Sequence, residues 1–149
     1  MRVGDFCIRE VIECHRKASA LELSQLMRDS HVGDVVVVDQ PNGKKVAVGI
    51  VTDRDLVVEV MAKEVDPALV TAGDLMGREL VTVGEAGDIF ETVELMRHKG
   101  VRRIPVVDDQ GGLAGIVTLD DLLKVVGEQI ILLAQVIGRE RFQEQQSRH

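Results

Sequence analysis

Aromatic residues are scarce in this chain of 149 residues, which has three Phe and neither Trp nor Tyr. Because 45% of the residues are nevertheless hydrophobic, a core would consist mainly of aliphatic side chains, and disorder throughout the chain is excluded. Valine occurs 25 times. Such an excess of a β-branched residue favours strands as well as helices.

Cysteine and histidine are also rare. The two cysteines, Cys7 and Cys14, form no Cys-x-x-Cys pair, and the four histidines are scattered, so the sequence predicts neither a disulfide scaffold nor a metal site. The sequence contains no Gly-x-Ser-x-Gly, His-Glu-x-x-His or Walker-type motif. These absences favour a binding protein over an enzyme.

An excess of basic charge and a long apolar run are missing as well. The 18 Lys and Arg residues face 25 Asp and Glu residues, and the net charge of −7 argues against nucleic acid and anionic membranes as partners. The longest apolar run, Ile130–Ala134, is too short to span a membrane, and the N-terminus does not resemble a signal peptide. We therefore expect a soluble cytoplasmic protein in which any phosphate site is local.

The sequence does contain an internal repeat. At an offset of 69 residues, Leu26–Arg28 falls on Leu95–Arg97 with identical residues. The offset becomes 66 at Gly49–Thr52, which falls on the identical sequence Gly115–Thr118. The change lies near the turn sequence Pro41–Gly43, where a difference in length is tolerated.

Each copy has the pattern of a short strand, a helix, a hairpin of two strands and a second helix, which predicts a mixed α/β (α+β) fold. A unit of about 60 residues is close to the lower limit for folding alone, so the two copies should pack together. The predicted elements are Val11–Cys14, a helix from the capping box Ser19-x-x-Glu22, Val35–Asp39, Val46–Val51 and Arg54–Met61, followed by Leu80–Val83, a helix from Asp88-x-x-Glu91, Ile104–Asp108, Leu113–Val117 and Asp120–Val126.

These elements divide the chain into residues 1–62, a linker at 63–70, residues 71–127, and a C-terminal helix with a polar tail at 128–149. Within that helix, Ile130, Leu133, Ala134 and Ile137 form an apolar stripe. The stripe would pack on its own module or, as we favour, also against a second copy of the chain. Residues 143–149 are expected to be frayed.

The doubled unit, with Gly-hydrophobic-Val-Thr-x-x-Asp at the start of each last helix, resembles the CBS domain, named after cystathionine β-synthase. The resemblance rests on residues 49–56, 101–108 and 115–122, and extends from about Gly4 to Gly127. It implies a tandem CBS pair with pseudo-two-fold symmetry and small mixed sheets, as in stand-alone bacterial-type regulatory modules. Such pairs often bind AMP, ADP, ATP or S-adenosylmethionine in two clefts between the halves, and commonly form dimers through their helices.

The Thr-x-x-Asp pairs, Thr52 with Asp55 and Thr118 with Asp121, have chemistry that suits a nucleotide. A Thr hydroxyl can donate to a phosphate or ribose oxygen, an Asp carboxylate can accept from both ribose hydroxyls, and a helix N-terminus attracts phosphate. The same spacing also fits a capping box, so helix capping alone is the alternative.

The resemblance implies that the ribose lies on the Thr and Asp of one repeat, while the phosphates face basic residues of the other. Carried over, the first cleft comprises Thr52, Asp55, Arg54, Ile50, Leu80, Val81, Arg102, Arg103, Ile104 and Pro105. The second cleft comprises Thr118, Asp121, Ile116, Val11, Ile12, Gly33 and Asp34. Because Asp34 stands where Arg103 stands in the other copy and would repel a phosphate, we expect the second cleft to be weak, empty or specific for an uncharged ligand.

The resulting hypothesis is a non-catalytic regulatory homodimer without a catalytic cofactor. It binds an adenosine nucleotide in the first cleft and transmits its occupancy as a conformational change to a regulated protein that the sequence does not identify. The alternative is a ligand-independent oligomerisation or partner-binding scaffold, in which Arg102 and Arg103 only pair with surface acids.

Overall fold

The structure is a computed structural model that describes residues 1–77 and 79–148. It contains two three-stranded mixed sheets of identical topology, as predicted. The first sheet consists of β1 (Glu13–Cys14), β2 (Asp34–Asp39) and β3 (Val46–Thr52), with β1 parallel and β3 antiparallel to the central β2. The second sheet repeats this arrangement with β4 (Val83–Gly84), β5 (Arg103–Val107) and β6 (Leu113–Thr118).

Five α-helices accompany the sheets in the described residues. They are α1 (Ala20–Ser30), α2 (Asp53–Leu56), α3 (Ala72–Leu75), α4 (Ile89–Lys99) and α5 (Leu119–Ser147). The predicted capping box at Ser19 begins α1, and Asp88 caps α4 by accepting hydrogen bonds from two backbone N–H groups. The described residues also contain two 3₁₀ turns, Val3–Asp5 and Pro41–Gly43, and a π-helical segment, Val57–Met61.

The first strand of each repeat is shorter than predicted and lies closer to the C-terminus. Residues 11–14 and 80–83 were predicted, whereas the paired residues are those of β1 and β4. Val11 and Leu80 instead pack into a hydrophobic cluster between the sheets. Their apolar character therefore reflects packing against the other repeat rather than strand pairing.

In both repeats, the second helix differs from the prediction. In the first repeat, α2 has only four residues and continues as a π-helical segment, Val57–Met61, because the N–H of Ala62 bonds to the carbonyl of Val57. In the second repeat, the helix does not end near Gly127 but continues as α5 through Ser147. Residues 143–147, which were expected to be frayed, belong to this helix, and His149 lies outside the described residues.

The core consists of three clusters, and β2 contributes to two of them. Val35 and Val37 pack with α1 in the first cluster, whereas Val36 and Val38 face the other sheet, as the two-residue period of a strand requires. The second cluster fills the other repeat and includes Ile104, Val117 and Leu122. The valine run of β2 is thus buried on both faces of its sheet.

The segments that precede the two repeats are exchanged. Val3, Phe6 and Cys7 pack against the core of the second repeat, while Ala72 and Met76 pack against the core of the first. Both segments pass over a glycine of the repeated motif. A Cβ at Gly49 would lie 2.6 Å from Met76 Sδ, and one at Gly115 would lie 2.7 Å from the carbonyl oxygen of Ile8.

Within the described residues, no helix combines the length and apolar character needed to cross a membrane. The last two-thirds of α5, residues 128–148, are exposed to solvent. The apolar stripe at Ile130, Leu133 and Ile137 therefore does not pack on its own module, with exposed fractions of 61%, 68% and 55%.

Candidate functional site

An open cleft of about 250 Å³ lies where the end of β3 meets the start of β5, and we name it the first cleft. Both repeats contribute to its walls. The lining residues are Ile50, Thr52, Asp53, Arg54, Gly100, Val101, Arg102 and Arg103. Five of the ten residues predicted for this cleft thus line it, including all three arginines.

Thr52 and Asp55 form a reciprocal capping box at the start of α2. Thr52 Oγ1 accepts a hydrogen bond from the Asp55 backbone N–H at 3.2 Å, and Asp55 Oδ2 accepts one from the Thr52 backbone N–H at 2.8 Å. Because the Thr52 hydroxyl acts here as an acceptor, its proton remains available for donation to a ligand. Capping and ligand contact are therefore compatible at Thr52, which lines the cleft, while Asp55 lies behind it.

The helix that begins with α2 is continued by the π-helical segment Val57–Met61, so its peptide dipoles remain aligned beyond Leu56. Its N-terminus therefore contributes a partial positive charge at Thr52, in addition to the full charges of the arginine side chains.

The three arginines differ in their existing partners. Arg103 Nε lies 3.4 Å from Asp34 Oδ1, with exposed side-chain fractions of 34% and 16%, respectively. Arg102 Nη2 lies 3.2 Å from Asp120 Oδ1 in an exposed pair. Arg54 forms no ion pair with another described residue. A ligand phosphate would therefore find one unpaired arginine and compete with a carboxylate for each of the other two.

The environment of Asp34 is electrostatically unfavourable for a carboxylate. Burial raises the pKa of Asp34 above its usual value, and the nearby Asp53 adds to this, while Arg103 opposes it. Arg103 thus stabilises the charged form of a largely buried acid. The alternative considered from the sequence paired Arg103 with a surface acid, whereas its partner Asp34 is largely buried.

The other predicted residues of the first cleft do not line it. Leu80 packs with the cluster between the sheets, and Val81 packs against the core of the second repeat. Ile104 is fully buried in that core, and Pro105 is buried opposite Ile116 of β6. Since neighbouring residues of a strand point to opposite faces, the side chain of Ile104 points away from that of Arg103.

A smaller cleft of about 100 Å³ lies at the equivalent place in the other half, and we name it the second cleft. It is lined by Ile8, Glu10, Val11, Ile12, Val32, Asp34, Val36, Ile116 and Thr118. Thr118 caps α5, and its hydroxyl also donates to Asp121 Oδ2 at 2.8 Å. The lining therefore contains two carboxylates and no cationic side chain.

Two residues predicted for the second cleft lie outside its lining. The carboxylate of Asp121 accepts a hydrogen bond from the Thr118 hydroxyl and does not line the cleft. Gly33 lies beside the first cleft, because a Cβ at this position would be 3.0 Å from Asp53 Oδ2 and 3.5 Å from Arg103 Nη2. The segment before β2 therefore borders both clefts.

The two copies of the fold coincide with two matches to the CBS domain, at residues 3–62 and 72–128. The chain belongs to the CBS domain family. The CBS match covers both repeats and excludes most of the exposed part of α5.

Relatives of this CBS pair include proteins from archaea and bacteria. The chain is 42% identical over 123 residues to the uncharacterized protein MK0525 of Methanopyrus kandleri, which covers 83% of this chain and 61% of that protein. The chain thus spans about three-fifths of the length of that relative. It is 30% identical over 132 residues to hypoxic response protein 1 of Mycobacterium tuberculosis, which covers 89% of this chain and 85% of that protein.

Solved structures show the same CBS fold. The CBS domain pair of protein MJ0100, in complex with 5′-methylthioadenosine and S-adenosyl-L-methionine, has a TM-score of 0.75 and 26% identity, covering 87% of this chain and 98% of that chain. The structure of hypoxic response protein I contains two coordinated zinc ions and has a TM-score of 0.72 and 28% identity, covering 83% of this chain and 98% of that chain. In residues 1–77 and 79–148 of this CBS pair, no group of three His, Cys, Asp or Glu side chains is placed to hold a metal ion.

Several cleft residues of the CBS pair were missed by sequence reasoning. Asp53, Gly100 and Val101 line the first cleft, and Glu10 and Val32 line the second. The internal repeat contains a signal for two of them, because Val32 and Val101 are identical at the offset of 69 residues. Asp53 could have been predicted as an acidic residue of the first cleft, because it lies between the predicted cleft residues Thr52 and Arg54 in the sequence.

Proposed function

We propose that this CBS pair is a non-catalytic regulatory module that binds an adenosine nucleotide of the AMP, ADP or ATP class in the first cleft. The observation that carries the proposal is the convergence of Arg54, Arg102 and Arg103, from both repeats, on one cleft that also presents the Thr52 hydroxyl. Arginine is well suited to phosphate because its planar guanidinium donates two parallel hydrogen bonds.

The parts of a nucleotide match different walls of the first cleft. The phosphate faces the arginines, and the ribose hydroxyls face Thr52, which Asp55 holds in place by accepting a hydrogen bond from the Thr52 backbone N–H. Ile50 and Val101 offer aliphatic surface to the adenine, since the lining has no aromatic side chain for stacking. The 5′-methylthioadenosine and S-adenosylmethionine bound by the CBS pair of protein MJ0100 support the adenosine part of this ligand, and the arginines of the first cleft support its phosphate.

Ligand binding in the first cleft can affect α5, because a residue of the cleft contacts the first turn of that helix. Arg54 belongs to the first repeat and Arg102 to the second, so a phosphate that binds both changes the forces between the repeats. The carbonyl oxygen of Arg102 accepts a hydrogen bond from the Leu119 N–H at 2.9 Å. The guanidinium of Arg102 forms an ion pair with Asp120. Both contacts lie in the first turn of α5. We therefore propose that ligand binding alters the position of α5 and of whatever partner it contacts.

A thermal-shift and calorimetry panel of AMP, ADP, ATP, 5′-methylthioadenosine and S-adenosylmethionine tests the proposal. A ligand at 100 times its Kd adds about 2.7 kcal/mol to the free energy of unfolding. Arg103→Ala is expected to weaken AMP binding strongly, whereas the control Arg97→Ala, which removes an exposed arginine paired with Glu94 on α4, should not change it. If no adenosine compound binds, the proposed function is wrong.

A second candidate, an oligomerisation scaffold, is favoured by one specific observation. The stripe at Ile130, Leu133 and Ile137 is exposed along a helix that extends past the repeats. We propose that it is covered in a homodimer, which is compatible with nucleotide binding. Light scattering of the wild type and of Leu133→Asp, with and without AMP, separates the two roles: a scaffold alone would dimerise through α5 and show no response to any adenosine compound.

For the second cleft, we propose that it does not hold a phosphate. Its lining carries Glu10 and Asp34 and lacks a basic side chain, so an anionic ligand would be repelled. Calorimetry should accordingly give one AMP per chain. Two equivalent AMP sites would contradict this asymmetry.

A further inference from the structure

Asp34 and Arg103 occupy equivalent positions in the two repeats, and the fold brings them together. Each residue begins the central strand of its sheet, β2 or β5, at the offset of 69 residues. Arg103 lines the first cleft and Asp34 lines the second. Their ion pair, with Nε 3.4 Å from Oδ1, therefore crosses the boundary between the two clefts.

The pair differs from the other ion pair of the first cleft in its burial. Only 16% of the Asp34 side chain is exposed, whereas Arg102 and Asp120 are both mostly exposed. A largely buried charge that loses its partner is strongly destabilised, while an exposed ion pair contributes little. Asp53 adds a second negative charge beside Asp34 and thereby increases the need for Arg103.

These contacts have a consequence for any ligand that carries a phosphate. To bind Arg103 fully, the phosphate must draw the guanidinium away from Asp34, or approach a carboxylate that is already in contact with it. Either route costs free energy that an uncharged nucleoside does not spend, because the nucleoside can use Thr52 and the aliphatic wall without disturbing the pair.

We propose that Asp34 is a specificity-determining residue of the first cleft, which lowers its affinity for phosphate-bearing adenosine compounds relative to uncharged ones by competing for Arg103. The inference rests on the proposed function, since it concerns the ligand of the same cleft. Asp34 acts on the ligand through Arg103 and is thus a positioning residue.

The test is calorimetric titration of the full chain and of Asp34→Asn with AMP and with 5′-methylthioadenosine, which lacks a charged group at its 5′ end. Asparagine keeps the shape of the side chain and removes its charge. The affinity for AMP is expected to increase roughly tenfold in the variant, while the affinity for 5′-methylthioadenosine stays within about twofold. A merely structural role would change both affinities in the same direction.

Matched variants complete the design. Glu94→Gln removes a carboxylate from an exposed ion pair with Arg97 on α4, outside the first cleft, and is expected to change AMP affinity less than about twofold. Asp34→Glu keeps the charge and should retain the wild-type ratio of the affinities for AMP and 5′-methylthioadenosine. Asp34→Ser replaces Asp34→Asn if the asparagine variant does not fold. Unfolding midpoints of each variant report whether it is intact.

The outcomes separate the inference from the proposed function. If the wild type binds AMP and Asp34→Asn leaves the ratio of the two affinities unchanged, the inference is wrong and the proposed function stands. If neither protein binds any adenosine compound, both are wrong. If Asp34→Asn binds AMP more tightly than the wild type does, while the affinity for 5′-methylthioadenosine is unchanged, both are supported.

Discussion

The two motif glycines offer a sharp test of the exchanged packing, because each lies directly beneath a segment from the other repeat. Gly115→Ala would place a Cβ 2.7 Å from the carbonyl oxygen of Ile8 and 2.8 Å from Cys7 Sγ. Gly49→Ala would place one 2.6 Å from Met76 Sδ and 2.7 Å from Met76 Cβ. Real Cβ atoms do not approach other atoms so closely, so the overlying segment must move.

Both substitutions should destabilise the fold. At Gly115 the obstacle includes backbone, which is held by a pair of hydrogen bonds between Ile8 and Ile116 at 2.9 Å. Overpacking of this kind costs about 1–3 kcal/mol. At Gly49 the sulfur of Met76 can rotate away, but Met76 Cβ moves only with the backbone, so we expect a cost in the same range.

Gly127→Ala provides the control of opposite sign. Gly127 lies within α5, and a Cβ there would meet no atom within 4 Å. Because alanine favours a helix by roughly 1 kcal/mol over glycine, this variant is expected to be more stable than the wild type.

Urea unfolding followed by far-UV circular dichroism measures all three variants, since the chain has no Trp for fluorescence. Thermal unfolding followed by the same signal gives a second measure, in which a loss of 1 kcal/mol of stability corresponds to a decrease in Tm of roughly 2–4 °C at this chain length. If Gly115→Ala is as stable as Gly127→Ala, the segment around Ile8 does not pack on Gly115 in solution and the exchanged arrangement is refuted.

Three further predictions concern the thiols, the N-terminal segment and the caps. Burial raises the pKa of the Cys14 thiol to about 11, so its reaction with a disulfide reagent in the folded protein should be slow at pH 8 and accelerate toward pH 11; rapid reaction at pH 8 would contradict this burial. Val3→Ala, which truncates a fully buried side chain, should lower the free energy of unfolding by about 2 kcal/mol in urea titration, and a neutral effect would show that Val3 is not part of the core. Asp55→Ala and Asp121→Ala each remove a carboxylate beside a helix cap, but calorimetry should show weaker AMP binding only for Asp55→Ala; equal losses would refute the inequality of the clefts.

Much of the fold follows from local sequence signals. The repeated valine runs predicted the central strands, and the threonines of the repeated motif predicted the caps of α2 and α5. The resemblance to the CBS domain rested on those same residues. Gly127 was interpreted as the end of a helix, but a single glycine in a helix costs only about 1 kcal/mol, and the surrounding residues favour continuation.

The candidate site was predictable only in part, because its details depend on contacts between distant residues. The resemblance to the CBS domain implied that the arginines and Thr52 share one cleft, whereas the partner of Arg103 is set by how the two sheets meet. Ile104 shows an avoidable error: strand alternation alone places its side chain on the face opposite to Arg103. The exchange of the two preceding segments has no local signal except the glycines beneath them.

The exchanged segments also determine the order in which the chain can fold. Val3 and Gly4 donate backbone hydrogen bonds to Gly87 and Glu85, partners that are more than 80 residues away in the sequence. During synthesis on the ribosome, these first residues emerge long before their binding site exists, and the core of the first repeat must wait for Ala72 and Met76. Neither repeat can therefore complete its core while the other is missing, and contacts of such long range slow the final step of folding. Val3 and Gly4 can therefore reach their native positions only after Glu85 and Gly87 have been synthesised.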